Sequence, residues 1–416
     1  MRSLPMRVRS CFLLCAWGSL LACSFFLLPS TAFCAEFEPE SGWGGHLFPS
    51  YIVATATMSK PEVDEEAEED QTVIGDSLGL LGVSIEAEED EQEVTVTITC
   101  DAIMEPSSIT CTLPEAGETY IVRPKIRYKY NELARQAQTT PITVTYEVET
   151  EDDAEEQSET LTLRSINDCP FGRAVEGEWT SLRFMFAAYV NEQHPFVDKV
   201  LREALDSGIV DSFTGYQSND NDEVYRQVYA LWNALSTRDV RYSSITNSVA
   251  ESDSVGSQHI RLIDESINNG QANCVDGSVL LASLLRKVGI EPILVHVPGH
   301  CFLAFALNEE GTEIVGLETT LIGCSIEGDA PEVTGLEEVV DEELQATNSW
   351  KTFAVAIARG NASLQEHLEE FKDPENFNYT LISVANARKS GILSIGFQAN
   401  QNFVDAPKAE EEDSEE

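Results

Sequence analysis

Asn273-Cys274-Val275-Asp276-Gly277-Ser278-Val279-Leu280-Leu281-Ala282 opens the stretch of this chain in which pattern and chemistry coincide. Leu284 and Leu285 continue the apolar run, and Val288-Gly289 ends it. The pattern predicts one buried helix. Asn273 is its N-cap, Asp276 stands three residues on as the return partner of a capping box, and Gly289 is the usual C-terminal stop. Cys274 then falls in the first turn. There it faces unsatisfied backbone N–H groups and the positive end of the helix dipole, which favour a thiolate by about 0.3–1 kcal/mol at exposed sites. Such a thiolate attacks carbonyl carbon readily, and its own N–H can donate to the oxyanion that forms.

Downstream, residues 293–297 read as a strand, Pro298-Gly299 as a turn and residues 300–307 as a second strand, a sheet against which the helix can pack. A third strand, 312–317, ends at Glu318-Thr319-Thr320, so a carboxylate at its end can reach the imidazole of His300 at the start of the second. The order is helix-start thiol, strand-start imidazole and strand-end carboxylate. It suits a Cys-His-carboxylate relay in which His300 is the base and Glu318 orients it. An oxyanion hole needs a second donor, and the side-chain amide of Gln271 is the candidate. His296 and His300 lie near Cys274 in this reading, but no Cys-x-x-Cys or His-Glu-x-x-His spacing supports a metal site. Nothing resembles an EF-hand loop.

The helix-initial Asn-Cys-Val-Asp-Gly-Ser, the Gly-His-Cys-Phe-Leu-Ala-Phe strand and the Leu-Glu-Thr-Thr strand together resemble the core of the transglutaminase-like superfamily, which has the papain-type Cys-His-Asp arrangement. The resemblance is clearest over residues 261–323 and extends over about 225–395, through Ser349-Trp350-Lys351 and Ala387-Arg388-Lys389-Ser390-Gly391-Ile392. It implies Cys274 as nucleophile, His300 as base and Glu318 as the third member, with no cofactor. The chain departs from the usual pattern at Glu318, where Asp is ordinary, and at Cys301, where an aromatic residue often follows the His. The implied activity is acyl transfer from protein or peptide amides through a thioester, resolved by water in a peptidase or deamidase and by an amine in a transamidase. Two rivals stand beside it. One is a non-catalytic binding module of the cell envelope; the other is a redox or structural disulfide protein with Cys274 bonded to Cys301 or Cys324.

The chain has 416 residues, 42% of them hydrophobic, enough for two or three domains with full cores. Residues 1–35 read as a secretory leader: Arg2, Arg7 and Arg9 precede an apolar run, and Ser30, Thr31 and Ala32 follow it. Leu20-Leu21-Ala22-Cys23 also resembles a lipoprotein cleavage box, and an uncleaved run could anchor the chain, so membrane attachment would come only through this leader. All three readings predict export to the periplasm or beyond. Loss of the leader takes the formal charge from −46 to −49, which argues against nucleic acid as a ligand and would steer basic or Lys-bearing peptides toward the protein.

Residues 36–74 read as an acidic linker, most strongly from Pro61 to Gln71. From 75 to 168 the apolar residues recur with period two, as in Val94, Val96 and Ile98 or Ile142, Val144, Tyr146 and Val148, which predicts an immunoglobulin-like antiparallel β-sandwich. Cys100 and Cys111 share inward faces there and can form a disulfide or serve as two small buried hydrophobes. Residues 169–400 would then be the transglutaminase-like domain that the resemblance implies, in a chain expected to be α+β. Its helix around Val224, Val228, Leu231 and Leu235 is capped by Asp220, with Tyr225, Tyr229 and Trp232 as core rather than ligand platform. Residues 401–416 read as an acidic, disordered tail.

Overall fold

The computed structural model describes residues 37–58 and 72–396, apart from 152, 176, 245–248, 252–253, 330 and 374–375, together with 402–404 and 406. The leader, the acidic run Pro61 to Gln71 and the tail beyond 406 lie outside the described residues. The chain is α+β. Among the described residues no helix is long and apolar enough to cross a membrane.

Two sheets face each other in the N-terminal half. One has the order His46–Leu47, Ala154–Leu163, Thr140–Glu149, Gln92–Thr99 and Ser107–Leu113; the other has Phe37–Ser41, Leu81–Glu86, Thr119–Arg123 and Val73–Gly75. The period-two pattern works as read: Val94, Val96 and Ile98 are buried between the sheets, while Thr95 on the outer face hydrogen-bonds Thr110 across the strands at 2.9 Å. The sandwich is not wholly antiparallel, because Val73–Gly75 runs parallel to Thr119–Arg123 and His46–Leu47 parallel to Ala154–Leu163. Cys100 and Cys111 carry free thiols, as do Cys169, Cys274, Cys301 and Cys324. Cys111 faces Val94 in the ladder, whereas Cys100 lies beyond the paired part of its strand.

Two boundaries, of the linker and of the tail, differ from the sequence expectation. Phe37–Ser41 is an edge strand paired with Leu81–Glu86, and Pro49–Ala54 is a helix, so the ordered domain begins well inside the expected linker 36–74. Phe37, Leu47 and Ile52 bury in the sandwich core and Trp43, Phe48 and Ala54 in the core of the second domain, so this segment ties the two together. The turn between them uses positive φ at Trp43 and Gly44, which breaks any periodicity a sequence could display. At the other end, Phe403 packs against the second core rather than belonging to a free tail.

The second domain is built around the predicted helix, Cys274–Lys287, whose Val279, Leu280, Leu281, Ala282, Leu284 and Leu285 are all buried. It lies on a four-stranded sheet of order Ile314–Leu317, His300–Ala306, Pro292–Val297 and Thr380–Ser383. Asn221–Thr237 and Asn348–Glu366 complete the layer: Trp232 donates its indole N–H to Thr352 at 3.2 Å, and Tyr229 meets Trp350 edge-on at 4.8 Å. Asn348–Glu366 approaches the edge strand so closely that a Cβ on Gly360 would fall 2.2 Å from the carbonyl carbon of Gly316; only glycine permits that crossing. A further sheet, of order Glu178–Ser181, Asp168–Val175, Val255–His259 and Val249–Glu251, buries Cys169 and Val255 in the core of the second domain.

Candidate functional site

The capping box fixes where the thiol stands. Asn273 Oδ1 accepts from the N–H groups of Val275 and Asp276, both at 2.9 Å, while Asp276 Oδ2 accepts from Asn273 N–H at 2.9 Å. Gly277 N–H goes to the Asn273 carbonyl at 3.0 Å. Among the described residues this leaves the Cys274 N–H as the first-turn donor with no internal partner, beside a half-buried thiol. Asp276 is fully buried and also takes the Arg261 N–H at 2.9 Å and its guanidinium at 2.7 Å, tying the preceding loop to the helix start.

His300 opens its strand directly after a hairpin turn in which Gly299 has φ 73°, and its antiparallel neighbour is Val297. Its Nε2 lies 2.8 Å from Glu318 Oε2. Hydrogen bonding to Cys274 first, and then to Glu318, raises the imidazole from its ordinary 6.5 to about 10, against burial that lowers it. With Nε2 committed to Glu318, Nδ1 is the nitrogen left for the thiol. Glu318 ends the strand Ile314–Leu317 and caps the short turn Thr319–Leu321. Its Oε1 accepts from Thr320 N–H at 3.1 Å and from the Thr320 hydroxyl at 2.7 Å. Burial pushes its carboxyl up, but the bonds from His300 and Thr320 outweigh that and hold it below its ordinary value. One helix and two strand ends thus bring Cys274, His300 and Glu318 together.

Gln271 is placed differently. It sits exposed in a two-residue parallel pairing with Arg241–Tyr242 and lines a cleft of about 520 Å3 with Arg241, Asn268 and Tyr242. Among the described residues no hydrogen bond joins its side chain to Cys274 or His300.

Beneath the cluster the polar groups are tightly held. Ser278 donates to the Cys274 carbonyl at 2.7 Å and pairs with Thr319 at 2.9 Å. Burial keeps the Cys301 thiol well above its ordinary value, so this neighbour stays protonated. His296, opposite Cys301 in the ladder, is buried and stacked on Phe186 at 4.3 Å; desolvation, then the charges of Arg183 and His300, lower it to about 3. It is a neutral ring, and its Nε2 has no partner among the described residues. No group of three His, Cys, Asp or Glu side chains converges on a metal position among the described residues.

Sequence reasoning missed Arg261, Thr320 and Thr319. The Glu-Thr-Thr run carried a signal, since a carboxylate followed two residues later by Thr is a turn cap. Arg261 carried none, because its partner Asp276 was already explained as a cap. Compared with known proteins, the sequence matches no family model and no curated protein.

Proposed function

We propose that this chain is an exported cysteine acyl-transfer enzyme with a transglutaminase-like domain, acting on protein or peptide amides through Cys274, His300 and Glu318. The observation that carries this reading is the placement of His300 between the thiol and the carboxylate, Nε2 on Glu318 and Nδ1 left to Cys274. His300, an imidazolium at neutral pH, has already taken the Cys274 proton, so the sulfur attacks the amide carbon as a thiolate, and the Cys274 N–H donates to the oxyanion. Collapse of the tetrahedral adduct breaks the C–N bond; the imidazolium gives its proton to the leaving amine, and a thioester remains. Water or a second amine then attacks it with His300 again as base. Glu318, pinned from behind by Thr320, keeps the Nε2 proton in place throughout and stabilises the imidazolium. The acidic composition favours basic or Lys-bearing substrates by steering. Mass spectrometry after incubation with peptide mixtures and a labelled amine tests this: a Cys274-bound acyl group is expected, and amine incorporation against hydrolysis names the acceptor. If iodoacetamide modifies Cys274 at pH 6 no faster than an ordinary thiol, and His300→Ala changes nothing, the proposal fails.

A further inference from the structure

The segment Asn402-Phe403-Val404 is held as a bound peptide would be. The carboxamide of Asn268 donates to the Asn402 carbonyl at 2.9 Å and accepts the Val404 N–H at 3.0 Å. That is the pair of bonds one residue of a parallel strand makes to the residues flanking its neighbour. Arg238 donates through Nη2 to the Val404 carbonyl. The ring of Phe403 sits between them, 4.1 Å from the Arg238 guanidinium, 4.7 Å from Lys199 Nζ and edge-on to Phe196 at 5.1 Å. Arg238 is built into the fold: its side chain is 2% exposed, Nη1 is paired with Glu203 at 2.5 Å, and its buried Nε has no partner among the described residues.

These groups read a backbone and one aromatic ring, and little else. Asn402 is exposed and Val404 is 53% exposed, so neither side chain is recognised. Any extended segment with an aromatic residue at the central position satisfies the same donors and acceptors. The cleft of about 520 Å3 begins at this segment, with Val404, Arg238 and Asn268 on its wall, and runs to Tyr242 and Gln271, three positions before Cys274. We propose that this surface is a peptide-docking exosite, filled in cis by Asn402–Val404, which takes in trans an extended substrate peptide bearing an aromatic side chain. Strand-like backbone pairing with a side-chain anchor is an established mode of peptide recognition, and a ring over Arg adds cation–π attraction. Docking needs no turnover, so it stands or falls apart from the acyl-transfer reading.

A tethered segment competes at an effective concentration of about 1 mM. If the free peptide binds with a Kd of about 100 μM, cis occupancy weakens trans binding by about tenfold. The test is fluorescence anisotropy with a labelled peptide of the sequence Gln-Asn-Phe-Val-Asp-Ala and the full chain. The Phe403→Ala chain, whose own segment has lost its anchor, is expected to bind the peptide about tenfold more tightly than the native chain. A peptide with Ala for Phe, and the double variant Asn268→Ala with Phe403→Ala, are expected not to bind. Equal binding to native and Phe403→Ala chains, no binding to either, or indifference to the peptide's Phe overturns the proposal. Should Phe403→Ala fold poorly, the native chain carrying fluorinated Phe403 reports the same competition. Excess peptide must shift that 19F resonance toward its free position, and an unmoved signal overturns the proposal.

Discussion

Replacing Glu318 by Gln should be worse than deleting its side chain, and the reason lies in Thr320. The Thr320 N–H is a fixed donor to Oε1 at 3.1 Å, reinforced by the Thr320 hydroxyl. In Glu318→Gln that donor claims the amide oxygen, which turns the amide N–H2 toward His300 Nε2. The neutral ring must then accept at Nε2 and carry its proton on Nδ1, facing the thiol whose proton it should take. An imidazolium would oppose an N–H to an N–H. In Glu318→Ala the carboxylate is equally gone, but either tautomer is open to the ring. A charge-assisted hydrogen bond of this kind contributes about 1.5–3 kcal/mol. Its loss should lower the His300 ionisation, now about 10, by about 1–2 units. The assay needs no substrate: the rate of Cys274 carbamidomethylation is followed by mass spectrometry of its peptide from pH 5 to 11. The imidazolium should leave an upper inflection in that rate near pH 10 in the native chain, about 8–9 in Ala and lower still in Gln. A Gln inflection equal to or above that of Ala would refute the tautomer reasoning, wherever the native one falls.

Asp276→Ala removes the acceptor of three bonds and the carboxylate facing the Arg261 guanidinium, whose side chain is only 11% exposed, so a loss of about 3–5 kcal/mol in urea unfolding is expected; a loss under about 1 kcal/mol would show that the loop simply relaxes. His296 is neutral when folded, with its ionisation near 3 instead of 6.5, so the unfolded chain binds the extra proton between those values and stability drains as pH falls below 6.5. His296→Phe keeps a ring on Phe186 and should therefore gain about 2 kcal/mol on the native chain between pH 8 and pH 5; a pH-independent difference in paired urea titrations refutes this. Gly360→Ala should cost about 1–3 kcal/mol by forcing the helix off Gly316, and it should also slow Cys274 alkylation, because Glu318 N–H hangs from the Ala356 carbonyl of that helix at 3.0 Å.

The parts of the fold that were legible are those where one periodicity runs unbroken between clear stops. The cysteine helix spans the expected residues with the expected cap, and its three strands fall within one or two residues of their expected bounds. Asn221–Thr237 starts at the cap proposed for it. Asp168–Val175 was illegible because Pro170 and Gly172 interrupt its alternation at a register shift. Phe37–Ala54 was hidden by its positive-φ turn and by an acidic neighbour that coloured the whole stretch as linker. Phe403 is a lone ring in a polar context, and only the distant Arg238 and Phe196 give it a place. Within the site, the thiol, imidazole and carboxylate could be named from their element ends. Their supports, Thr320 and Arg261, depend on side-chain contacts that no spacing encodes.

Register accounts for a Glu as the proposed third member. Leu303 pairs with Leu317 at the end of the ladder, so Glu318 stands one residue past it, level with Phe302, where the turn Thr319–Leu321 begins. The carboxylate must therefore reach His300 along the diagonal, where side chains on neighbouring strands stand about 7–8 Å apart at the backbone. An Asp at 318, one methylene shorter, would have less reach along that diagonal. A Glu spans the diagonal with Oε2 and keeps Oε1 for the turn that begins at the same residue, since the backbone leaves the strand at φ −77° and ψ 96° and brings Thr320 back over it. The longer side chain and the early end of the strand are thus one solution: the turn supplies the donors that stiffen the extra rotatable bond. His300 gains a carboxylate held from both sides, which an exposed strand-end residue would not provide.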